Sequence, residues 1–181
     1  WRESDEPKPC SVYAESKRAG ELAVLEVGGG KGLSPLVVRT CGLYGAPSTS
    51  GKRSFVEAIL QRALTGQPLR VVDDQRCTPT HVDDLVEALL CLLNTPAQGL
   101  VHVVNSGDCT WFELAQEVLR QTGLTVPITP IPTSELHQKA LRPIDSRLST
   151  LLYQSITGQS LPPWKAALAD RLRQDGRLNS T

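Results

Sequence analysis

The sequence of 181 residues contains no methionine and few aromatic residues. Because methionine is absent, Trp1 is not the residue at which translation began, so we expect that a segment upstream of it was removed or is not recorded. Phe, Trp and Tyr make up only 4% of the chain, which argues against a platform of stacked rings for nucleic-acid bases.

Neither sign of charge is in excess, because 19 Lys and Arg residues balance 19 Asp and Glu residues. This balance argues against nucleic acid or a membrane surface as a partner. No apolar run approaches the roughly 18 residues of a membrane span, and no basic-then-apolar leader opens the chain. An apolar content of 40% is typical of a folded soluble protein, and the length suits one domain with a substantial core.

The five cysteines form neither a CxxC pair nor a cluster with histidine; they are Cys10, Cys41, Cys77, Cys91 and Cys109. An odd number at wide spacing predicts neither a disulfide framework nor a zinc site. We therefore expect a reduced, cytoplasmic protein without a bound metal. His81, Asp83 and Asp84 are interpreted as the start of an amphipathic helix, where the helix dipole favours a pair of acidic residues, and not as metal ligands.

Helical and strand patterns alternate along the chain. Apolar residues at helical spacing predict helices over 11–26, 54–65, 80–93, 111–122, 146–156 and 163–174. Short, β-branched apolar runs predict strands over 35–40, 69–72, 100–105 and 126–131. Strands separated by helices indicate an α/β fold with parallel sheet elements.

Several details of these helices are specific enough to test. Thr110 and Glu113 have the spacing of a capping box, and Gly123 is predicted to end the helix that they begin. Trp111 and Trp164 are expected to pack in the core. In the helix over 80–93, the side chains expected to face inward are Val82, Leu85, Val86, Leu89, Leu90 and Leu93.

The glycine-rich stretch "VGGGKGLS" resembles a phosphate-binding loop at first sight. Such a loop needs Gly-x4-Gly-Lys-Ser/Thr between a strand and a following helix, and here Lys31 is followed by Gly32. The glycines also follow a helix and precede a strand, so we interpret residues 28–32 as a helix end and a turn.

Tyr13 and Lys17 have the spacing of an acid–base pair on one helix face. A free tyrosine has a pKa near 10, and a neighbouring ammonium lowers such a pKa by stabilising the phenolate. A tyrosine in that setting can act as a general acid or base. Spacing alone leaves open an ordinary pair on a solvated helix face.

The wider sequence resembles the extended short-chain dehydrogenases/reductases. An acidic, proline-rich stretch over 1–9 precedes Tyr13-x-x-x-Lys17, and Gly20-Glu21 follows it. Further segments resemble, in order, the dTDP-4-dehydrorhamnose reductases within that group: "VVRTCGLYG" over 37–45, "VVDDQRCTPTHVDDLVEAL" over 71–89, 105–113, Arg142-Pro143 and 161–168. The resemblance covers nearly the whole chain.

This resemblance implies a fold and a domain organisation. The chain would be the C-terminal part of a Rossmann-like doubly wound fold, together with a small α/β substrate-binding lobe from about 42–66 and 105–181. The cofactor-binding half, with its glycine-rich loop, would precede Trp1. The strand over 35–40 would then have its partner strands before Trp1, and the chain expressed alone would aggregate and bind no dinucleotide.

The resemblance also implies a reaction and a set of site residues. A hydride would pass from NADPH or NADH to the C4 ketone of a nucleotide-linked 6-deoxy sugar, with Tyr13 as proton donor and Lys17 holding the nicotinamide ribose. Arg39 and Thr40 would lie on the cofactor side. The substrate-side positions would be Gly42, Ser54, Gln75 and Arg142.

Some positions depart from the family pattern and leave other functions open. Gly42 stands where the reductases have a tryptophan, Cys77 where they have a glycine, and Asp145 where they have an asparagine. These changes put the sugar in question more than the chemistry. The alternatives are a sugar-nucleotide epimerase and a non-catalytic regulatory subunit, and any of the three could form a homodimer.

Overall fold

The computed structural model describes residues 1–46, 53–136 and 140–178. The helices in that part of the chain are α1 (Val12–Gly30), α2 (Phe55–Leu64), α3 (Val82–Leu93), α4 (Trp111–Thr122), α5 (Leu151–Thr157) and α6 (Trp164–Gln174), with a 3-10 turn at Thr133–Leu136. The strands are β1 (Leu36–Arg39), β2 (Leu43–Tyr44), β3 (Leu69–Val72), β4 (Arg76–Cys77), β5 (Thr80–His81), β6 (Gly99–His102), β7 (Cys109–Thr110) and β8 (Ile128–Ile131). Most of the polar loop predicted after Gly45 lies outside the described residues.

Parallel strand pairs separated by helices confirm the predicted α/β class. β1 pairs with β6, β3 with β8, and β2 with β5, all in parallel. β4 and β7 form a short antiparallel pair. The strands of the two shortest pairs, β2–β5 and β4–β7, have two residues each, which is below the length at which a period-2 pattern can be seen in sequence.

The partner of β1 differs from the prediction. We expected the strands beside β1 to precede Trp1, but β6 pairs with it in the register Leu36 to Gly99 through Arg39 to His102. On its other edge, β1 has no strand partner within the described ranges. The expectation of an unpaired strand edge therefore holds for one side of β1 only.

Two separate hydrophobic clusters form the core. The first lies among α2, α4, α6 and the pair β3–β8; its largest fully buried side chains include Leu69, Leu114, Leu168 and Leu172. The second lies between β1–β6 and the helices α3 and α5, around Val101, Leu92 and Tyr153. The predicted division into a substrate lobe over 42–66 and 105–181 stays a prediction.

The end of α1 lies four residues beyond the predicted one. The helix continues through Gly28 and Gly29 and ends at Gly30. Lys31 is its C-cap residue, and the N–H of Lys31 donates to the carbonyl oxygen of Gly28. A Cβ atom at Gly28 would lie only 2.6 Å from the Cβ of Pro35. Gly28 is therefore needed where α1 packs closely against the chain entering β1, and the reversal follows at Gly32, with φ +66°.

The inward face predicted for α3 is wrong in part. Val82, Val86, Leu90 and Leu93 are exposed, whereas the second core cluster covers Leu85, Ala88 and Leu92. The helix is apolar on both faces, and periodicity cannot tell which of the two a neighbouring element covers. The start of a helix also differs from the prediction at α5, which begins at Leu151 and not near Ser146.

The predicted capping and core tryptophan are confirmed for the second half of the chain. Thr110 and Glu113 form a reciprocal capping box at the start of α4, and Gly123 ends that helix with φ +69°. Trp164 is buried in the first core cluster. Trp111 is half-buried: it packs against this cluster but also faces a cavity described below.

We expect residues 1–181 expressed alone to bind a hydrophobic dye and to self-associate. The exposed apolar side chains of α1 and α3 are the reason: Val12, Leu22, Val24, Val27, Val82, Val86, Leu90 and Leu93. Light scattering and dye fluorescence would measure this. A monodisperse chain that melts cooperatively and binds NADPH tightly would contradict it.

None of the helices in the described part is both long and apolar enough to cross a membrane.

Candidate active site

Helix α1 runs antiparallel to β1, which determines where its N-terminal end lies. Glu21, in the middle of α1, contacts Arg39 at the end of β1, and Gly28, near the end of α1, contacts Pro35 ahead of β1. Tyr13 precedes Glu21 by eight residues, about 12 Å at 1.5 Å per residue. The start of α1 therefore extends past the carboxyl end of β1, the side on which α/β sheets bind ligands.

A bidentate ion pair fastens α1 to β1. Arg39 donates from Nε to Glu21 Oε1 at 2.7 Å and from Nη2 to Oε2 at 2.6 Å, and Arg18 contacts the same carboxylate at 3.3 Å. Both partners are largely shielded from solvent. The hydrogen bond from Arg39 holds the pKa of Glu21 below its ordinary value of 4.5, and the same contact raises the pKa of Arg39.

We expect Glu21→Gln to lower the free energy of unfolding by about 2 kcal/mol at neutral pH, because a charged hydrogen bond is lost and Arg39 keeps no carboxylate in return. Since the pKa of Glu21 is lower in the folded state, the pair stabilises the fold fully above pH about 4.5 and progressively less as the pH falls through the folded-state pKa. Urea unfolding at neutral and acidic pH measures both effects.

The control for this variant is Glu26→Gln, on the exposed side of the same helix. It should change the free energy of unfolding by less than about 0.5 kcal/mol. Equal effects of the two variants at neutral pH, or a wild-type advantage that grows on acidification, would contradict the role given to the ion pair.

Tyr13 and Lys17 lie in the first turns of α1, exposed to solvent. Ser11 caps the helix by accepting a hydrogen bond from the N–H of Ala14, as is common at helix starts. The Nζ of Lys17 lies 5.5 Å from the centre of the Tyr13 ring, so the predicted pairing on one helix face is present. The side chain of Tyr13 is 72% exposed, which leaves its hydroxyl open to a ligand.

A cavity of about 620 Å³ is lined by β2 and the Gly42 ahead of it, by β3 and by α2; Tyr13 and Lys17 are not among its lining residues. All four substrate-side positions taken from the resemblance line it, namely Gly42, Ser54, Gln75 and Arg142. The start of α1 is close to the same wall, because the thiol of Cys10 contacts the carbonyl oxygen of Leu141 at 3.9 Å, one residue before Arg142. The structure thus brings residues from distant parts of the sequence to one place.

Three of these residues have clear structural reasons for their positions. Gly42 has φ +57°, and a Cβ there would approach the Cα of Pro79 to 3.1 Å, so a bare backbone forms that part of the wall. Ser54 caps α2 by accepting from the N–H of Glu57. Gln75 is buried and donates from Nε2 to the hydroxyl of Thr133 at 2.9 Å.

The arginines of the cavity were missed by the sequence analysis, apart from Arg142. Arg53, Arg62 and Arg70 also line it, and the lining residues, all from the described ranges, include no Asp or Glu. Phe55 and Trp111 form an aromatic pair on the wall, with ring centres 4.8 Å apart. Arg70 also forms an ion pair with Glu135, which balances its charge. Spacing along the chain could not have disclosed that these arginines line one cavity.

Arg39 and Thr40, the two predicted cofactor-side residues at the end of β1, have different surroundings. Arg39 is engaged by Glu21, which suits it to holding α1 in position. Thr40 has a buried hydroxyl without a hydrogen-bond partner among the described residues. The cofactor-side role of Thr40 therefore stays a prediction.

The acidic residues interpreted as a helix start behave as expected. Asp83 and Asp84 lie in the first turn of α3, and Asp84 accepts a hydrogen bond from Asn105 at 2.6 Å. Asn105 also accepts from the N–H of His81, which is buried against the ring of Tyr44. Within the residues that the structure describes, His, Cys, Asp and Glu side chains form no group of three that could hold a metal ion.

The sequence of this chain matches the model of a known protein family. The family model described as the RmlD substrate binding domain matches residues 1–176. The chain belongs to this family. The resemblance to the dTDP-4-dehydrorhamnose reductases is thereby confirmed, as is the Rossmann-like α/β class.

Two individual relatives of this RmlD-type chain are similar to it over almost its whole length. It is 36% identical over 176 residues to the spore coat polysaccharide biosynthesis protein SpsK of Bacillus subtilis, with 96% of the chain and 58% of the relative covered. It is 35% identical over 176 residues to a dTDP-4-dehydrorhamnose reductase of Streptomyces griseus, covering 94% of the chain and 56% of the relative.

A solved structure is also similar. The dTDP-4-dehydrorhamnose reductase of Bacillus anthracis, determined in complex with NADP, superimposes with a TM-score of 0.87 at 29% identity. That match covers 96% of the RmlD-type chain and 59% of the solved chain. The RmlD-type chain therefore spans less than two thirds of the length of the relatives that it matches.

Proposed function

We propose that the protein to which this chain belongs reduces the C4 ketone of a nucleotide-linked 6-deoxy sugar of the dTDP-4-dehydrorhamnose type, with NADPH or NADH. The observation that carries this proposal is the position of Tyr13 and Lys17. They lie beyond the carboxyl end of β1, on a helix whose start contacts the segment bearing Arg142 of the cavity. The names of the relatives support the same reaction.

The lining of the cavity supports a nucleoside diphosphate as the part of the substrate that binds there. Arginine side chains make strong, charge-assisted hydrogen bonds to phosphate oxygens. Four arginines line the cavity, one of which, Arg70, also pairs with Glu135. Phe55 and Trp111 provide an apolar aromatic surface on which a base or sugar ring could lie. A volume of about 620 Å³ falls within the roughly 300–1,000 Å³ of small-molecule sites.

The residues present suit the nicotinamide end of a dinucleotide. Lys17 is exposed beyond the carboxyl end of β1, where it would meet the ribose of the dinucleotide, and Thr40 directly follows β1 at that end. When bound, the dinucleotide supplies a hydride to the carbonyl carbon. Lys17 would orient the ribose, and Arg39 would act indirectly by holding α1 through Glu21.

Tyr13 would donate its hydroxyl proton to the ketone oxygen as negative charge develops there. The ammonium of Lys17, 5.5 Å from the centre of the Tyr13 ring, would stabilise the phenolate that remains. Proton transfer by a positioned side chain typically contributes about 100- to 10,000-fold in rate. Gly42, Ser54, Gln75 and Arg142 would position the sugar nucleotide on the other side of Tyr13.

The direct test is a chimera in which the part of the Streptomyces griseus reductase that precedes its match to Trp1 is fused to residues 1–181. The chimera should consume NADPH in the presence of dTDP-4-dehydro-6-deoxy-L-mannose, and the isolated chain should not. Product analysis would show reduction at C4. Circular dichroism and NADPH binding establish that the chimera is folded before turnover is measured.

Other outcomes identify the alternatives. Interconversion of the sugar at C4 without net consumption of NADPH would indicate an epimerase. A folded chimera that binds NADPH and dTDP but never turns over would favour a non-catalytic binding subunit. Either result would overturn the proposed reduction.

The cavity arginines lead to a separate expectation. Arg142→Gln in the chimera should weaken dTDP binding by about tenfold, equivalent to about 1.4 kcal/mol, because one charged contact to phosphate is replaced by a neutral one. Arg173→Gln, on the exposed surface of α6 and away from the cavity, is the matched control. Calorimetric titration with dTDP measures the affinity of both variants. If Arg142→Gln bound dTDP as tightly as Arg173→Gln, Arg142 would not contact the nucleotide.

A further inference from the structure

Two cysteines face one another across the short antiparallel pair β4–β7. The register places Cys77 directly opposite Cys109. Both are completely or almost completely buried, with 0% and 1% of their surfaces exposed. The sequence analysis treated all five cysteines as isolated thiols, since these two are separated by more than thirty residues.

The backbone geometry of such a pair suits a disulfide. Residues directly opposite in antiparallel strands have Cα atoms about 4.5 or 5.5 Å apart, depending on whether they exchange hydrogen bonds. A disulfide needs a Cα separation of about 4.4–6.8 Å, so either kind of pair meets the requirement. The neighbouring Cys109 thiol and burial raise the pKa of Cys77, so its thiolate forms readily only when the strand pair opens.

We propose that Cys77 and Cys109 are a site of reversible disulfide formation, with a low-molecular-weight disulfide such as oxidised glutathione as the oxidant. One cysteine thiolate attacks the oxidant, forms a mixed disulfide and releases one glutathione thiolate. The second cysteine thiolate then attacks the protein sulfur of that mixed disulfide and releases the other glutathione thiolate. Two cysteine thiols are oxidised, two protons are lost from them, and one glutathione disulfide is reduced to two thiols.

The bond would join two segments that form the walls of the cavity. Gln75 precedes β4 and Trp111 follows β7, and both line the cavity. In the reduced protein these segments are connected by the ion pair of Arg76 with Asp108, at 2.8 Å from Nε, and by a hydrogen bond from Thr110 to Asp73. The disulfide would add a covalent link to these contacts. This inference does not depend on the proposed reaction.

The other cysteines are less well placed. Cys41 is half-buried, and its thiol contacts the hydroxyl of Ser146 at 3.5 Å. Cys10 is exposed at the start of α1, and Cys91 lies on α3. Neither Cys10 nor Cys91 lies in a strand, and Cys41 follows β1 in a segment without a facing cysteine in the described strand pairs.

The experiment is thiol mapping of the chimera, whose folding is first established by circular dichroism, before and after incubation with oxidised glutathione. Because both thiols are buried, exchange must follow local opening of the strand pair, and we expect it to take on the order of hours. Free thiols are then alkylated and the chain is digested with a glutamate-specific protease. Cleavage after Glu87 separates Cys77 from Cys109, and fragmentation distinguishes Cys109 from Cys91 on the same peptide.

We expect two alkylatable thiols per chain to be lost, a cross-linked pair of peptides joined through Cys77 and Cys109, and full recovery of both thiols after treatment with dithiothreitol. Cys41→Ala should form the same link, and Cys109→Ala should not. Retention of free thiols at Cys77 and Cys109, a link through Cys41 or Cys91, or a bond between two chains would overturn the proposal. The mapping of the unsubstituted chimera decides the question even if Cys109→Ala fails to fold.

Discussion

Tyr13→Phe in the chimera is expected to lower kcat by about 100- to 10,000-fold while leaving the affinity for NADPH nearly unchanged. The substitution removes one hydroxyl from a side chain that is 72% exposed at the start of α1, so the fold loses almost nothing. The proton for the ketone oxygen would then have to come from water. The loss should appear in kcat and in kcat/KM together, as expected for an interaction made in the transition state.

The matched control is Tyr153→Phe, which removes the same hydroxyl from a tyrosine buried in the second core cluster. It should change stability and leave kcat within about twofold, because Tyr153 has no contact with the site. Steady-state rates for wild type and both variants, at saturating NADPH and sugar nucleotide, give the comparison. If Tyr13→Phe turned over as fast as the control, Tyr13 would not be the proton donor.

Trp164→Ala is expected to lower the free energy of unfolding by about 3–5 kcal/mol, a large part of the roughly 5–15 kcal/mol by which domains of this size are stable. Trp164 is buried at the start of α6, within the first core cluster. Its ring lies so near Gly107 that a Cβ there would come within 3.2 Å of it. The backbone N–H of Trp164 donates to the carbonyl oxygen of Ser106 at 3.0 Å, a bond that alanine would keep, so the expected loss comes from the indole ring.

A cavity the size of an indole cannot close without moving these elements, which is why the expected loss is large. Leu93→Ala is the control, since Leu93 is 75% exposed and should cost less than about 0.5 kcal/mol. Chemical unfolding followed by circular dichroism measures both variants. A loss for Trp164→Ala comparable with the control would mean that α6 contributes little to the first core cluster.

The local elements and the family were determined by the sequence alone. The capping box of Thr110 and Glu113, the stop at Gly123 and the pairing of Tyr13 with Lys17 depend on residues at most thirteen positions apart, within one helix or its caps. Signals of this range are present in the sequence because the backbone geometry of a helix fixes which positions meet. The ordered motifs that indicated the RmlD family are likewise local, and the family match confirmed them.

The limits of local patterns explain the differences. The patterns for α3 showed apolar residues on two faces, but only its packing on β1–β6 decided that Ala88 and Leu92 are covered and that Val86 and Leu90 are exposed. The helix end at Gly30 depended on close contact with Pro35, which follows the turn. In both cases the deciding partner lies on another element, so periodicity within the helix carries no information about it.

The cavity was decided by the tertiary structure alone. Gly42 and Arg142 are a hundred residues apart, and Arg53, Arg62 and Arg70 are scattered through a sequence whose net charge is zero. The parallel pairing of β3 with β8 and the packing of α2 against α4 bring the segments carrying these residues around one space. A binding site of this kind depends on distance in space, and a sequence records only order along the chain.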